Sequence, residues 1–225
     1  MKNILPFKLN DEIEENIFWV TMSDLLLGFL ITFIVLFVLV ITGFSINNLN
    51  EKQEAQEVME NIDESLNKSN IKLDIDKLNN TVKVSDLELF EINSSELTEK
   101  GKEFLNKFIP IYFDNLFKDK EIKEKISQIM IVGHTDSQQF KYAKNKEENF
   151  NLNLDLSSKR ALNVAKYIIS INKDPEISKE LEKKITVAGR SYSEPILVNN
   201  KEDFSKSRRV EFKIVYKAIK LLPKE

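Results

Sequence analysis

The sequence contains no cysteine and a single histidine, His134, among its 225 residues. The first absence excludes disulfides and thiolate metal sites and is compatible with an oxidising compartment. The second excludes a metal site built from several histidines. An excess of positive charge is missing too. Formal net charge is -3, with acidic and basic residues interspersed, so nothing indicates a nucleic-acid surface. No Ser or Cys nucleophile accompanies His134 and Asp136 in a recognisable motif, so no enzyme activity and no cofactor are expected.

What is present is a run of uncharged, mostly apolar residues from Leu25 to Phe44, directly after Asp24. At about 1.5 Å rise per residue this run is about 30 Å long, the thickness of a bilayer's hydrocarbon core. It reads as a single transmembrane helix over residues 18–44, with Phe18 and Trp19 as an interfacial aromatic anchor. The run is longer than the apolar region of a signal peptide, acidic residues (Asp11, Glu12, Glu14, Glu15) precede it, and no A-x-A site follows. A retained signal anchor is expected. Lys2 and Lys8 lie before the helix and Lys52 is the first basic residue after it, which favours a cytoplasmic N-terminus. Residues 1–17 then form a cytoplasmic tail. Asp24 is either a helix cap in the headgroup layer, a role open to Ser23 as well, or a working group. An acidic side chain costs ~2.5–3.5 kcal/mol at the centre of a membrane helix, less near its edge, and faces a polar partner in most cases.

Beyond Phe44 the chain turns polar. Ala55, Val58, Ile62 and Leu66 follow a spacing of three and four, which predicts an amphipathic helical linker over residues 45–70, with self-association as one use of its apolar face. Residues 71–217 form the compact domain, and residues 218–225 a C-terminal tail. Ile71, Leu73, Ile75, Val82 and Val84 alternate with polar residues about an Asn79-Asn80 turn. Leu97 to Phe117 reads as a helix that Pro110 bends or breaks. Ile129–Val132, Ile185–Ala188 and Val210–Val215 are strands, and Ser157 to Ile171 is a second helix. Strands alternating with helices predict an α/β sandwich, helices packed on one mixed sheet. A long polar loop lies between Asp136 and Asn151.

Three segments place polar groups at element ends. Gly133-His134-Thr135-Asp136 follows the central strand, Asn153, Leu156, Ser157 and Arg160 open the second helix, and Ser207-Arg208-Arg209 precedes the last strand. Leu156 and Arg160, four apart, share a helix face, and Ser157 is placed as an N-cap. Arg160 is expected to fold over the sheet edge and face Asp136. A purely structural reading stays open: a salt bridge closing the sheet edge, Arg209 as a charge flanking a strand, and His134 as a buried residue without partner ligands.

These residues carry a resemblance. GHTD at 133–136, N-x-x-L-S-x-x-R-A at 153–161, S-R-R-V at 207–210 and the stretch LFEINSSELTEKGKEFL from Leu89 resemble the signature of the OmpA-like peptidoglycan-binding domain. The resemblance implies a pocket for the diaminopimelate-type stem peptide of the cell wall. Asp136 and Arg160 would hold the ligand's ammonium and carboxylate, with Thr135, Asn153, Leu156 and Arg208 completing the site. Two features depart from the family pattern: the 136–153 connection is longer, and Ser207 stands where the family has Asn.

The helix start, Phe18-Trp19-Val20-Thr21-Met22-Ser23-Asp24-Leu25-Leu26, is similar to that of MotB-type stator subunits, which join such a helix to an OmpA-like domain. That resemblance implies that Asp24 carries a transported proton or sodium ion, beside a MotA-like or ZorA-like multi-span partner. It also implies a homodimer in the cell inner membrane with its C-terminal domain in the periplasm. Gly28, Ile31, Thr32 and Val35 share the Asp24 face and would meet the partner. The basic tail of flagellar MotB is missing, and the F-W-V-T-M-S-D-L start looks more like the ZorB-type subunits of the Zorya anti-phage system. A flagellar stator and a non-conducting wall tether remain the alternatives.

Overall fold

The computed structural model describes residues 7–217, so residues 1–6 of the expected tail and the 218–225 tail lie outside the described residues. The chain divides into two compact units, Met1–Lys52 and Gln53–Glu225. Helix α1 (Phe7–Lys68) supplies the first unit and the opening of the second. Residues 7–17, within the segment expected as a tail, are helical. Within the first unit, Asn16–Ile46 is long and apolar enough to cross a membrane.

In the second unit the elements follow as β1 (Asp74–Asp76), β2 (Thr81–Ser85), α2 (Asp86–Leu89), α3 (Glu99–Phe117), α4 (Lys120–Lys125) and β3 (Ile126–His134). Then come α5 (Lys146–Ile171), α6 (Pro175–Lys184), β4 (Ile185–Gly189), a small hairpin of β5 (Leu197–Val198) and β6 (Lys201–Glu202), α7 (Phe204–Ser207) and β7 (Arg209–Tyr216). The main sheet has the order β1-β2-β7-β3-β4. Only β3 and β4 pair in parallel, so the sheet is mixed, as expected.

Alternation sorts the strands into two faces. Val82 pairs with Phe212, Val84 with Val210, and Ile131 with Phe212, which puts all five side chains on one face, and all are buried. Helix α3 lays Phe108 and Tyr112 against Phe212, with ring centroids 5.0 and 5.8 Å apart. Fully burying each such side chain stabilises the fold by about 1.5–3 kcal/mol. Pro110 does not break α3. It sits on the exposed side, and buried Ile109, Tyr112 and Phe113 hold the helix on the sheet around it.

Two expectations change here. The stripe Ala55, Val58, Ile62 and Leu66, read as a linker, is helical but not free, because each of these residues is buried in the domain core together with Met59. The domain thus includes residues before Ile71, and the apolar face has no surface left for self-association. Helix α5 also begins earlier than the expected Ser157. Asn145 caps it, its side-chain oxygen accepting from the Glu148 N–H at 2.8 Å, and Glu147 and Glu148 sit favourably in its first turn. The 136–151 loop shrinks accordingly to residues 135–145.

The depth of Ile62 in the core, where it has no exposed surface, gives a direct test of the boundary. Ile62→Ala should cost about 2–5 kcal/mol of unfolding free energy. Near-UV circular dichroism of the detergent-solubilised chain during denaturant titration reads this. A cost near zero would return residues 53–68 to the role of a linker.

Candidate functional site

The site opens where β3 ends. Helix α5 crosses β3 and β4 so closely that a Cβ on Gly133 would overlap the Ser157 carbonyl, and one on Gly189 would overlap Ser158. Glycine at both positions allows the approach. Ser157 is therefore mid-helix rather than an N-cap. Its hydroxyl donates to the Leu154 carbonyl at 3.0 Å and accepts the Ser191 N–H at 3.0 Å, while the Ser191 carbonyl accepts the Thr135 N–H at 2.9 Å. This lacing fixes Thr135 and Asp136 beside the first half of α5.

All six of the expected residues, Thr135, Asp136, Asn153, Leu156, Arg160 and Arg208, line one open pocket of about 510 Å³. The pairing within it differs from expectation. Arg160 does not pair with Asp136. Its Nη1 donates to Asp86 Oδ2 at 2.9 Å, its Nε to the Ser94 carbonyl at 2.8 Å, and its guanidinium lies 5.1 Å from the centre of the Phe90 ring. Asp136 instead accepts from Arg208 Nη1 through Oδ2 and from the Gln138 N–H through Oδ1, the latter at 3.0 Å. Arg208 Nε in turn lies 3.6 Å from Asp86 Oδ2. Charges thus alternate along the pocket floor: Asp136, Arg208, Asp86, Arg160.

Asp86 is the site residue that sequence reasoning missed. It opens α2, its N–H donates to the Arg208 carbonyl at 3.2 Å, and it is 2% exposed. Burial pushes its carboxyl up, against the pull of the Arg160 and Arg208 guanidinium groups. A carboxylate directly after the β2 alternation, ahead of Leu87 and Leu89, is the one signal the sequence offered. Ile92 and Asn93 on one wall, and Gln138, Gln139, Phe140, Lys141 and Tyr142 on the other, were missed as well.

Two buried atoms of pocket residues, Asp86 Oδ1 and Thr135 Oγ1, have no hydrogen-bond partner among the described residues. Such atoms cost free energy unless a ligand or water pairs them. A pocket with both charge signs, an unpaired carboxylate oxygen and an unpaired hydroxyl suits a zwitterionic ligand. Arg208 is the more accessible guanidinium, its side chain 27% exposed against 2% for Arg160.

The remaining polar residues act structurally. His134 is buried, with Nε2 3.5 Å from Glu211 Oε2. Although burial works against it, contact with His134 and the Arg209 charge hold the Glu211 carboxyl down to about 2. Arg209 donates to Glu211 at 2.6 Å and to the carbonyls of Glu194 and Ser207. The Ser207 hydroxyl accepts the Ile196 N–H at 3.0 Å and is fully buried outside the pocket lining, so Ser207 braces the 191–207 segment.

In the first unit, Asp24 stands inside the apolar Asn16–Ile46 stretch, about two turns from its start. Neither Ser23 nor Asp24 begins a helix, because α1 is already formed before them, so the cap reading does not hold. Asp24, Gly28, Ile31, Thr32 and Val35 are exposed, and the Thr32 hydroxyl donates to the Gly28 carbonyl at 2.8 Å.

Removing one member of a buried ion pair strands the other. Asp86→Ala should cost about 3–5 kcal/mol of stability, and Arg160→Met combined with Asp86→Ala distinctly less than the two single costs summed. Denaturant unfolding of the wild type, the two single variants and the double variant measures the coupling, and strictly additive costs would contradict the pairing.

Known proteins bear on this geometry. The OmpA family model matches residues 89–209, more than half of the chain. The Zorya protein ZorB of Escherichia coli (Crooks strain) is 29% identical over an alignment covering 97% of this chain and 96% of that protein. Among solved structures, a MotB-like protein from Desulfovibrio vulgaris matches with a TM-score of 0.54 at 21% identity, covering 76% of this chain and 96% of the other. That match shows a shared fold. The strand-end pocket, the mixed sheet and the family match agree: the chain belongs to the OmpA family.

Proposed function

We propose that this chain is the wall-anchored B subunit of an ion-driven, stator-type membrane complex of the Zorya anti-phage kind. The observation that carries the reading is the reach of the ZorB similarity. It spans 97% of the chain and so takes in both the Asp24 helix and the pocket domain. The chain acts by binding and conduction rather than by catalysis. It crosses the inner membrane once, N-terminus in the cytoplasm, with the pocket domain in the periplasm.

In this reading the pocket grips the diaminopimelate stem peptide of peptidoglycan. The ligand's ammonium meets Asp136 and the unpaired Asp86 Oδ1, its carboxylate meets Arg208 and the guanidinium of Arg160, and Thr135 and Asn153 supply hydrogen bonds. A helix tied to the wall is a fixed post. Asp24 on that post, facing a MotA-like or ZorA-like multi-span partner around a dimer of this chain, carries a proton or sodium ion. A carboxylate at membrane depth is costly unless it faces such a polar partner.

Asp24→Asn keeps the side-chain shape and removes the titratable group. Expressed with its multi-span partner, this variant should lose ion flux and phage protection at unchanged membrane levels, while Asp136→Ala should lose retention on isolated sacculi. Flux and protection that survive Asp24→Asn would overturn the conducting role and leave a wall tether.

A further inference from the structure

The pocket has a second zone whose chemistry differs from its charged floor. Phe140 and Tyr142 stand on the rim with ring centroids 5.4 Å apart and planes tilted by 34°. Tyr142 is 65% exposed, unlike the core aromatics Phe108, Tyr112 and Phe212. The neutral amides Gln138, Gln139 and Asn153 line the same pocket, as does Lys141.

The loop that presents the rings is built rather than loose. Asn149, 4% exposed, accepts the Phe140 N–H through Oδ1 at 2.9 Å. Ala143 is buried, its N–H donates to the Phe140 carbonyl at 3.0 Å, and its carbonyl accepts from Gln139 Nε2 at 3.0 Å. The Lys144 N–H donates to Glu148 at 2.7 Å, and Ser137 at the other end is held by Glu202. An exposed and a half-buried aromatic, fixed in advance on a pocket rim, are the kind of anchor that binding sites use.

We propose that Phe140 and Tyr142 form a carbohydrate subsite, which holds a sugar ring of the glycan strand to which the stem peptide is attached. The proposal rests on the peptidoglycan reading above. A pyranose presents an apolar C–H face whose weak positive charge suits the negative face of an aromatic ring. Its hydroxyl and acetamido groups are neutral donors and acceptors, which Gln138, Gln139 and Asn153 match in kind. The charged floor takes the zwitterion, and the adjoining aromatic rim, where Lys141 is the one charged side chain of the 138–142 wall, takes the uncharged sugar. Because the two zones line one pocket, a ligand whose sugar and peptide are covalently joined reaches both.

Isothermal titration of the full chain in detergent decides this, using three probes: a diaminopimelate stem peptide, the same peptide joined to its N-acetylated disaccharide, and the disaccharide alone. Wild type should bind the disaccharide-peptide about three- to tenfold more tightly than the peptide. Tyr142→Ala and Phe140→Ala should erase that preference, weakening the disaccharide-peptide at least threefold more than the peptide, and Tyr142→Trp should retain it. Circular dichroism confirms that the variants are folded. Equal wild-type affinity for both ligands, or a Tyr142→Ala loss equal in size for the two, would overturn the carbohydrate subsite alone. No binding of the peptide by wild type would overturn the peptidoglycan reading, and the subsite with it.

Discussion

A buried guanidinium organises the second unit. Arg160 is 2% exposed, and a charge so buried is tolerated only with close partners. It finds them on a segment far away in sequence: Asp86 at the end of β2, the Ser94 carbonyl, and the Phe90 ring. The single side chain therefore fastens α5 to the 86–94 segment. Asp86 then reaches Arg208 through both its backbone and its carboxylate, and Arg208 reaches Asp136. The pocket floor is the surface of this alternating chain of charges. Its geometry depends on α5 lying close against the sheet, which the two strand-end glycines permit.

Much of this was legible in the sequence, for reasons that differ by element. Strands β3 and β7 announced themselves because their burial leaves continuous or alternating apolar runs, and the half-buried β4 keeps apolar Ile185, Val187 and Ala188. The motif residues converge on one pocket because Thr135 and Asp136 follow β3, Arg208 precedes β7, and Asn153, Leu156 and Arg160 lie on α5 where it passes the ends of β3 and β4. The specific pairing was not legible. Nothing local says whether Arg160 faces Asp136 or Asp86, since Asp86 lies 74 positions away and only the folded chain brings it near. The start of α5 was hidden because Asn149-Phe150-Asn151-Leu152-Asn153-Leu154 alternates with a period of two, the signature of a strand, and asparagine is a poor helix former. Asn149 and Asn153 explain the pattern: both are buried, and the Asn153 amide donates to the Asn149 carbonyl at 3.0 Å. The stripe from Ala55 to Leu66 gave the right helix with the wrong role, because periodicity reports an apolar face but not what covers it.

In the proposed function the two units divide the labour. The apolar Asn16–Ile46 stretch carries a lone carboxylate, Asp24, and the second unit carries a pocket in which two buried atoms, Asp86 Oδ1 and Thr135 Oγ1, have no partner among the described residues. On that proposal an ion carrier that does mechanical work needs a fixed support, and a chain that grips the wall has one.

The central claim is that opposite charges on the pocket floor hold an amino-acid zwitterion. The most direct measurement compares the Kd of the full chain for a stem peptide containing diaminopimelate with that for the same peptide containing lysine, which lacks the side-chain carboxylate. Losing a charge-assisted contact to Arg208 and Arg160 should weaken binding about ten- to a hundredfold. Equal affinity for the two peptides would contradict zwitterion recognition.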